Sequence, residues 1–218
     1  RLIRLTVRQC NSVVVSPLTQ CAIEAKHKSF KAGHVLGDVM TQSRNLPSGV
    51  LADERVILEA SDPARDLYST RRYGALLPDG RLQLSLHEGL YLFDKGKIEV
   101  KDGRGQVYTS SRYLKKARTI EPHFWIRYCV FKDMRDRGYV VKTALKFGAD
   151  FRVYDRGVKP GEDHARWILY PVHEATPFTW HEFAAKNRVA HSTKKRLMIG
   201  IVDEEGDVTY YEIAWKRP

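Results

Sequence analysis

Cysteine and metal-ligand motifs are scarce in this chain. Its 218 residues include three cysteines, and no two of them form a Cys-x-x-Cys pair. This count and spacing exclude the disulfide framework of small secreted domains and a zinc site built from cysteines. The eight histidines show no His-Glu-x-x-His or similar spacing, and Walker loops, nucleophile elbows and dinucleotide-binding glycine fingerprints are missing from the sequence. We therefore expect no metal site and no cofactor.

Long apolar runs are missing as well. Runs such as Val13–Val15 and Ile168–Tyr170 have the length of core strands, far short of the ~18–20 residues that a membrane span needs. The start, Arg1–Arg4, lacks the layout of a secretory signal peptide. Hydrophobic residues make up 43% and aromatic residues 11%, which is too much for a disordered chain. We expect a soluble, cytoplasmic globular protein with no membrane partner.

Acidic residues are in the minority. The chain has 26 Asp plus Glu against 37 Lys plus Arg, which gives a formal net charge of +11. Excess Lys and Arg release the counterions condensed on phosphate backbones, so a nucleic acid is the partner to test first. Charge alone does not distinguish such a partner from an ordinary solvated surface.

Capping motifs predict where several helices begin. Ser85 is followed three residues later by Glu88, and Thr179 by Glu182, which is the spacing of a capping box. The run Ser61–Pro63 predicts another helix start, because proline costs nothing at the first helical positions. These signals predict the first residues of three helices.

The order of predicted elements gives the fold class. Residues 45–49 have the composition of a linker or turn, and short strands and helices follow up to residue 120. From Pro122 the order is helix, strands, helix and a final hairpin. We predict an α+β N-terminal domain followed by an α/β C-terminal domain with a mixed β-sheet flanked by helices. The predicted segments are an extra N-terminal segment (1–48), the N-terminal domain (49–120) and the C-terminal domain (121–218).

Tyr154 is the first residue that could carry chemistry. The alternation of Phe151–Tyr154 places Arg152 and Tyr154 on the face of the strand opposite Phe151 and Val153. A tyrosine on a strand most often serves packing. Here Arg152 and Arg156 lie close by, and cations stabilise the phenolate that a tyrosine base requires.

His164 is the second candidate. It follows Gly161-Glu162-Asp163 at the entry to a predicted strand. A loop histidine is usually ordinary surface. One whose proton is held by Glu162 or Asp163 is also a candidate general acid near neutral pH.

A basic stretch supplies the third candidate. Residues 186–196 contain five cations and no acid. A solvated helix end and a phosphate site at the edge of a sheet both fit this pattern. The cations are Lys186, Arg188, Lys194, Lys195 and Arg196.

Tyrosine, histidine and lysine together suit cleavage of an RNA phosphodiester without a metal. A base takes the 2′-OH proton, an acid protonates the leaving 5′-oxygen, and a cation stabilises the charge on the phosphate in the transition state. The adjacent 2′-OH is the nucleophile, so this route cannot cleave DNA.

The chain resembles the archaeal-type tRNA-splicing endonucleases, specifically their catalytic subunit. The resemblance covers about residues 49–218. It rests on separate motifs in the right order, which lie at residues 84–92 with 95–97, 136–143, 145–154, 160–165, 187–192 and 202–211.

The resemblance implies a role for each candidate. Tyr154 would be the general base, His164 the general acid and Lys195 the stabiliser of the transition state, and the choice of Lys195 over Lys194 rests on the family pattern. The family also clamps a bulged base between two side chains. Arg188 matches one arm of the clamp, and Trp215 is the candidate for the other, by base stacking and cation–π contact. Lys194 and Arg196 would add RNA contacts.

The same resemblance implies an oligomer and a substrate. In the family an acidic hairpin docks into a basic groove of a partner subunit, and here this hairpin carries Asp203, Glu204, Glu205 and Asp207. A homodimer, a homotetramer and an assembly with a non-catalytic subunit all stay open, because residues 1–48 depart from the family pattern. They fit either the remnant of a duplicated unit or an added segment.

The implied substrate is precursor tRNA. Cleavage at a bulge–helix–bulge would leave a 2′,3′-cyclic phosphate and a 5′-hydroxyl. Two alternatives are a non-catalytic structural or RNA-binding subunit of such a complex and a metal-dependent nuclease of the restriction-enzyme type. The first would lack one member of the Tyr154/His164/Lys195 set. The second would need a close carboxylate pair with a lysine, which does not follow Asp150.

Overall fold

The computed structural model describes residues 46–145, 148–158, 160–161 and 163–214. Nearly all of the predicted extra segment over 1–48 lies outside the described residues, as do Glu162 and Trp215. Within the described ranges, no helix is long and apolar enough to cross a membrane.

The N-terminal part is built around a five-stranded sheet. The order across the sheet is β3-β4-β2-β1-β5, with β1 parallel to β5 and the other neighbours antiparallel. The strands are β1 (Ser48–Ala52), β2 (Arg55–Leu58), β3 (Ala75–Leu76), β4 (Leu82–Ser85) and β5 (Glu99–Lys101). The helices are α1 (Asp62–Ser69), α2 (Leu86–Asp94) and α3 (Ser110–Ile120).

The predicted helix starts in this part are confirmed. The Ser61 hydroxyl accepts the backbone N–H of Ala64, and Ser85 and Glu88 form both bonds of a capping box. Strand β4 runs directly into α2 at Ser85, so no loop separates the two elements.

The linker predicted over 45–49 is wrong at its last two residues. Ser48 and Gly49 belong to β1 and pair with β5 and β2. Serine and glycine are typical of turns, but this glycine serves close packing. A Cβ at Gly49 would lie 2.4 Å from the Cδ2 atom of Leu58, so only glycine fits there.

The C-terminal part is a mixed sheet with a helix on each face, as the sequence predicts. The order is β10-β9-β8-β7-β6, with β8 and β9 parallel and the other neighbours antiparallel. The strands are β6 (Val140–Thr143), β7 (Phe151–Tyr154), β8 (Trp167–His173), β9 (Arg196–Val202) and β10 (Val208–Ile213). The helices are α4 (Phe124–Asp136) and α5 (Trp180–Ser192).

Each face of this sheet has its own apolar core. On one face Phe131 and Met134 of α4 pack with Phe151, Val153 and other strand residues. On the other, α5 packs through Ala190 on a smaller cluster that includes Ile168, Tyr170 and Leu197. The strands between the helices are therefore fixed on both sides, which makes their ends a rigid support for a site.

The two sheets share one core. His87 of α2 stacks on Phe124 of α4 with ring centroids 4.6 Å apart, and its edge meets Phe151 at 5.5 Å. The α2 residue Glu88 also pairs with Lys142 of β6. Aromatic packing and a buried ion pair thus join the N-terminal helices to the C-terminal sheet.

Candidate active site

The ends of three strands meet at one edge of the C-terminal sheet. The backbone N–H of Arg166 donates to the Val153 carbonyl at 2.9 Å, and the N–H of Arg196 donates to the Arg166 carbonyl at 3.0 Å. These bonds align the end of β7 with the starts of β8 and β9. Tyr154 is the last residue of β7, Lys195 immediately precedes β9, and His164 lies three residues before β8. The ends of β7 and β9 are two strand spacings apart, or about 10 Å, a span that tyrosine and lysine side chains can bridge through one phosphate.

Tyr154 is held firmly by its surroundings. Its side chain is 4% exposed and packs with Val140, Ala165 and Val158. Phe151 and Val153 belong to the separate core around α4, so the predicted alternation of faces is confirmed. The Arg152 guanidinium lies 5.9 Å from the centre of the Tyr154 ring. This packing fixes the direction of the phenol and leaves a cation beside it.

His164 occupies an exposed position before β8. Its backbone N–H donates to Asp163 Oδ1 at 2.6 Å. Asp163 therefore orients the histidine through the main chain. The predicted hold on its ring proton by Glu162 or Asp163 stays a prediction, because Glu162 lies outside the described residues. The segment before His164 is shaped by a β-bridge between Pro160 and Asp163 and by the positive φ of Gly161 (103°). The exposed histidine stands next to the buried tyrosine cluster, because Ala165 belongs to that cluster.

Lys195 follows the C-terminal cap of α5. The Lys194 N–H donates to the His191 carbonyl and the Lys195 N–H donates to the Ala190 carbonyl, which together form a Schellman motif. Lys194 holds the left-handed position of that motif with φ of 55°. Glycine normally occupies this position, so the lysine carries backbone strain of about 1–2 kcal/mol. The Lys195 ammonium donates to the Thr193 carbonyl at 2.9 Å.

The other cations of the basic stretch have different surroundings. Arg188 is exposed on α5, as a nucleic-acid contact requires. The Lys186 ammonium lies 4.2 Å from the centre of the Tyr170 ring, so this lysine packs on an aromatic side chain. Arg196 donates through Nη1 to Glu212 Oε1 at 2.7 Å. Sequence reasoning missed Glu212, whose partners lie far away along the chain.

Two further arginines surround the strand ends. Arg166 pairs with Asp155 at 3.0 Å and lies over the Trp167 ring at 4.6 Å. Arg156 lies over the Tyr139 ring at 5.1 Å, so of the two arginines that flank Tyr154 in sequence it is Arg152 that contacts it. These cations make the edge of the sheet electropositive.

The acidic hairpin is a tight turn between β9 and β10. Asp203 Oδ1 accepts the backbone N–H of Asp207 at 2.8 Å, and Gly206 lies against Cys129 and Trp125 of α4. Glu204 and Glu205 are exposed at the tip. The turn is thus rigid at its base and presents two carboxylates outward.

The side chains at this edge can move protons and bind an anion. A phenol and an imidazole are proton acceptors or donors, and the nearby lysines and arginines attract a phosphate. Among the described residues, no group of three or more His, Cys, Asp or Glu side chains is arranged to hold a metal ion.

Comparison with protein families agrees with this architecture. The family model described as the catalytic C-terminal domain of the tRNA intron endonuclease matches residues 124–210. The model of the N-terminal domain of the same family matches residues 48–111. The two matches cover most of the described part of the chain.

Curated relatives give the same result. A tRNA-splicing endonuclease of Nanoarchaeum equitans is 46% identical over 142 residues, which are 62% of this chain and 90% of the relative. The enzyme of that name from Thermococcus onnurineus is 41% identical over 167 residues, 77% of this chain and 95% of the relative. The one from Methanothermobacter thermautotrophicus is 37% identical over 170 residues, 78% of this chain and 98% of the relative. The chain therefore belongs to the tRNA intron endonuclease family.

Proposed function

We propose that this chain is an endoribonuclease that excises introns from precursor tRNA. It cuts at bulge–helix–bulge motifs, which it recognises by shape, because side chains cannot read the deep, narrow major groove of an RNA helix. The observation that supports this proposal is the convergence of the Tyr154, His164 and Lys195 segments on one edge of the C-terminal sheet. Family membership supplies the substrate class.

The proposed chemistry is an in-line transfer at phosphorus. Tyr154 removes the 2′-OH proton, and the 2′-oxygen attacks the adjacent phosphorus. The bond between phosphorus and the 5′-oxygen breaks as His164 gives that oxygen a proton. Lys195 neutralises the charge that builds on the non-bridging oxygens. The products are a 2′,3′-cyclic phosphate and a 5′-hydroxyl, and the reaction uses no metal ion.

RNA contacts around this centre position the substrate. Arg188 is exposed and serves as one arm of the base clamp, with Trp215 as the proposed second arm. Lys194 contacts phosphates next to the cut. Arg196 is already paired with Glu212, so its contribution to RNA binding is expected to be the smallest of the basic residues.

Two active sites in one assembly would give the two cuts that release an intron. The exposed carboxylates of Glu204 and Glu205 fit a basic groove on a partner subunit, either a second copy or a non-catalytic subunit. Asp203 and Asp207 hold the turn that carries them.

Cleavage of an intron-containing precursor tRNA in excess EDTA, followed by end-group analysis, tests this function. We expect two cuts that leave cyclic-phosphate and 5′-hydroxyl ends. Cleavage that needs an added divalent metal would contradict the proposed chemistry and favour a metal-dependent nuclease. Binding without cleavage under both conditions would favour a non-catalytic RNA-binding subunit.

A further inference from the structure

Glu212 is an acidic residue on the edge strand of the C-terminal sheet, close to the proposed active site. It lies opposite Met198 in the β10–β9 pair, and Met198 lies opposite Leu169 in the β9–β8 pair. The register therefore places Glu212 on the α4 face of the sheet, together with Trp167 and Arg196, which pair directly with each other. The Glu212 side chain is 27% exposed.

The Glu212 carboxylate joins two strands. Oε2 accepts the indole N–H of Trp167 at 2.6 Å, and Oε1 accepts a guanidinium N–H of Arg196 at 2.7 Å. Burial would raise the pKa of Glu212, but the bonds from Trp167 and Arg196 hold it below its usual value. The carboxylate is thus ionised at neutral pH, and ionised acceptors form the stronger hydrogen bonds.

Each partner of Glu212 lies close in sequence to a residue of the proposed site. Arg196 is the residue after Lys195, and Trp167 lies three residues after His164. The backbone bond from Arg196 N to Arg166 O, at 3.0 Å, forms a second tie between the same two strand starts. The carboxylate and this backbone bond therefore both link the start of β8 to the start of β9.

General stabilisation is a weak explanation for this arrangement. Arg196 is 52% exposed, and ion pairs of such exposed groups contribute little to stability. The Trp167 ring is 6% exposed and packs on Tyr139 edge to face, so its position does not need a charged acceptor. A glutamine amide oxygen could still accept the indole N–H. Glutamine has no charge and no second acceptor oxygen, so with that bond made it could not also hold the guanidinium.

We propose that Glu212 is a positioning residue that sets the distance between His164 and Lys195 by tying the starts of β8 and β9 together. It also neutralises Arg196, so that Lys195 rather than its neighbour meets the charge on the phosphate. This inference rests on the proposed function, since it assigns Glu212 a part in the same site. Misplacement of a catalytic group by about 1 Å can reduce a rate about 10²-fold.

Single-turnover cleavage by Glu212→Gln and Glu212→Ala tests this role. We expect the cleavage step to slow about 10- to 100-fold while the Kd for precursor tRNA changes less than about 3-fold. Glu174→Gln is the matched control, because Glu174 is an exposed glutamate that follows β8 at its other end. It should leave the rate unchanged.

A double-mutant cycle distinguishes positioning from support of the fold. In the Lys195→Ala background the Glu212→Gln change should have little further effect, because the group it positions is gone. Equal losses in both backgrounds, or losses that follow a drop in thermal stability, would overturn the proposal.

A readout that does not need activity separates this inference from the proposed function. The amide ¹H–¹⁵N resonances of His164 and Lys195 should shift in Glu212→Gln, while those of α1, far away in the N-terminal part, should not. Unshifted His164 and Lys195 resonances would overturn the positioning role even in an active enzyme. A wild-type chain that fails to cleave RNA would instead overturn the proposed function, and the resonances would still decide the role of Glu212.

Discussion

Lys142 of β6 forms an ion pair with Glu88 of α2, with 3.2 Å between Nζ and Oε1, and this pair ties the C-terminal sheet to the N-terminal helices. The same ammonium donates to the Gly74 carbonyl at 2.8 Å, and Glu88 accepts the backbone N–H groups of Gly74 and Ser85. Burial would raise the pKa of Glu88, but Lys142 and these N–H groups hold it below its usual value. Burial lowers the pKa of Lys142. The contact between the two side chains, together with these hydrogen bonds, therefore keeps the buried pair charged.

Removal of one partner of this pair should be costly. Lys142→Met leaves the Glu88 carboxylate buried without its cation, which should lower the free energy of unfolding by about 3–5 kcal/mol. Glu88→Gln combined with Lys142→Met should recover part of that loss, because no buried charge is left. Urea denaturation measures both. Lys101→Met is the control, since its pair with Glu99 is more exposed and should cost about 1 kcal/mol or less.

His87 should make the protein sensitive to acid. Burial against Phe124 and the charge of Arg127 lower the pKa of His87 to about 3. The pKa of a histidine in an unfolded chain is near 6.5. Below that pH the unfolded chain therefore binds a proton that the folded chain does not bind. The contribution of His87 to the free energy of unfolding is therefore fully present above about pH 6.5. It falls by about 1.4 kcal/mol per pH unit as the pH drops from there towards 3.

The substitution His87→Phe tests this acid sensitivity. Phenylalanine keeps a ring against Phe124 and cannot titrate, so the loss in free energy of unfolding from about pH 7 to about pH 5 should be smaller than in the wild type by about 2 kcal/mol. Denaturant titrations at the two pH values measure it. His181→Gln, at an exposed histidine, should leave the loss unchanged. Equal acid losses in wild type and His87→Phe would contradict this origin.

The sequence predicted much of this fold because its signals are local. Both capping boxes, the alternation of Phe151–Tyr154 and the final hairpin depend on residues a few positions apart. Strand β4 went unpredicted although Leu82 and Leu84 alternate, because it continues into α2 without a turn. Strand β1 was not predicted, because Ser48 and Gly49 are residue types typical of turns. The close packing of Gly49 on Leu58 is a tertiary contact that the local sequence does not indicate.

The candidate site was predictable only in part, for a physical reason. The residue types of Tyr154, His164 and Lys195 suggested chemistry, but their convergence depends on the parallel pairing of β8 and β9, which no local pattern encodes. Glu212 gave no signal at all. An acid on an edge strand looks like ordinary surface, and its indole partner lies 45 residues away.

Lys194 offers a test that separates stability from RNA binding. Glycine at this left-handed position relieves strain, so Lys194→Gly should raise the free energy of unfolding by about 0.5–1 kcal/mol. Loss of the charge should weaken binding of precursor tRNA and make it less dependent on salt, by about one unit of the salt slope. Thermal unfolding and binding titrations measure the two effects. Lys194→Asn removes the same charge and should weaken binding equally, with a smaller gain in stability.

The acidic hairpin should matter for assembly rather than for folding. Glu204→Gln with Glu205→Gln removes the two exposed charges and keeps the Asp203–Asp207 bond that shapes the turn. We expect weaker association at unchanged thermal stability, because exposed charges contribute little to the fold. Sedimentation velocity across a concentration series measures it. Glu59→Gln, at an exposed site just after β2, is the control. Sedimentation of the hairpin variant identical to that of the wild type would contradict the docking role.

Substitution of His164 is the most direct test of the proposed mechanism. His164→Ala removes one acid–base group, so the single-turnover cleavage rate should fall about 10²- to 10⁴-fold while the Kd for precursor tRNA stays nearly constant. The position is exposed, and Asp163 holds it through the backbone N–H, which alanine retains. Thermal stability should therefore change by less than about 0.5 kcal/mol. His181→Ala, an exposed histidine at the start of α5, should cleave at the wild-type rate. Undiminished cleavage by His164→Ala would remove this histidine from the mechanism, since a general acid cannot be deleted without slowing departure of the 5′-oxygen.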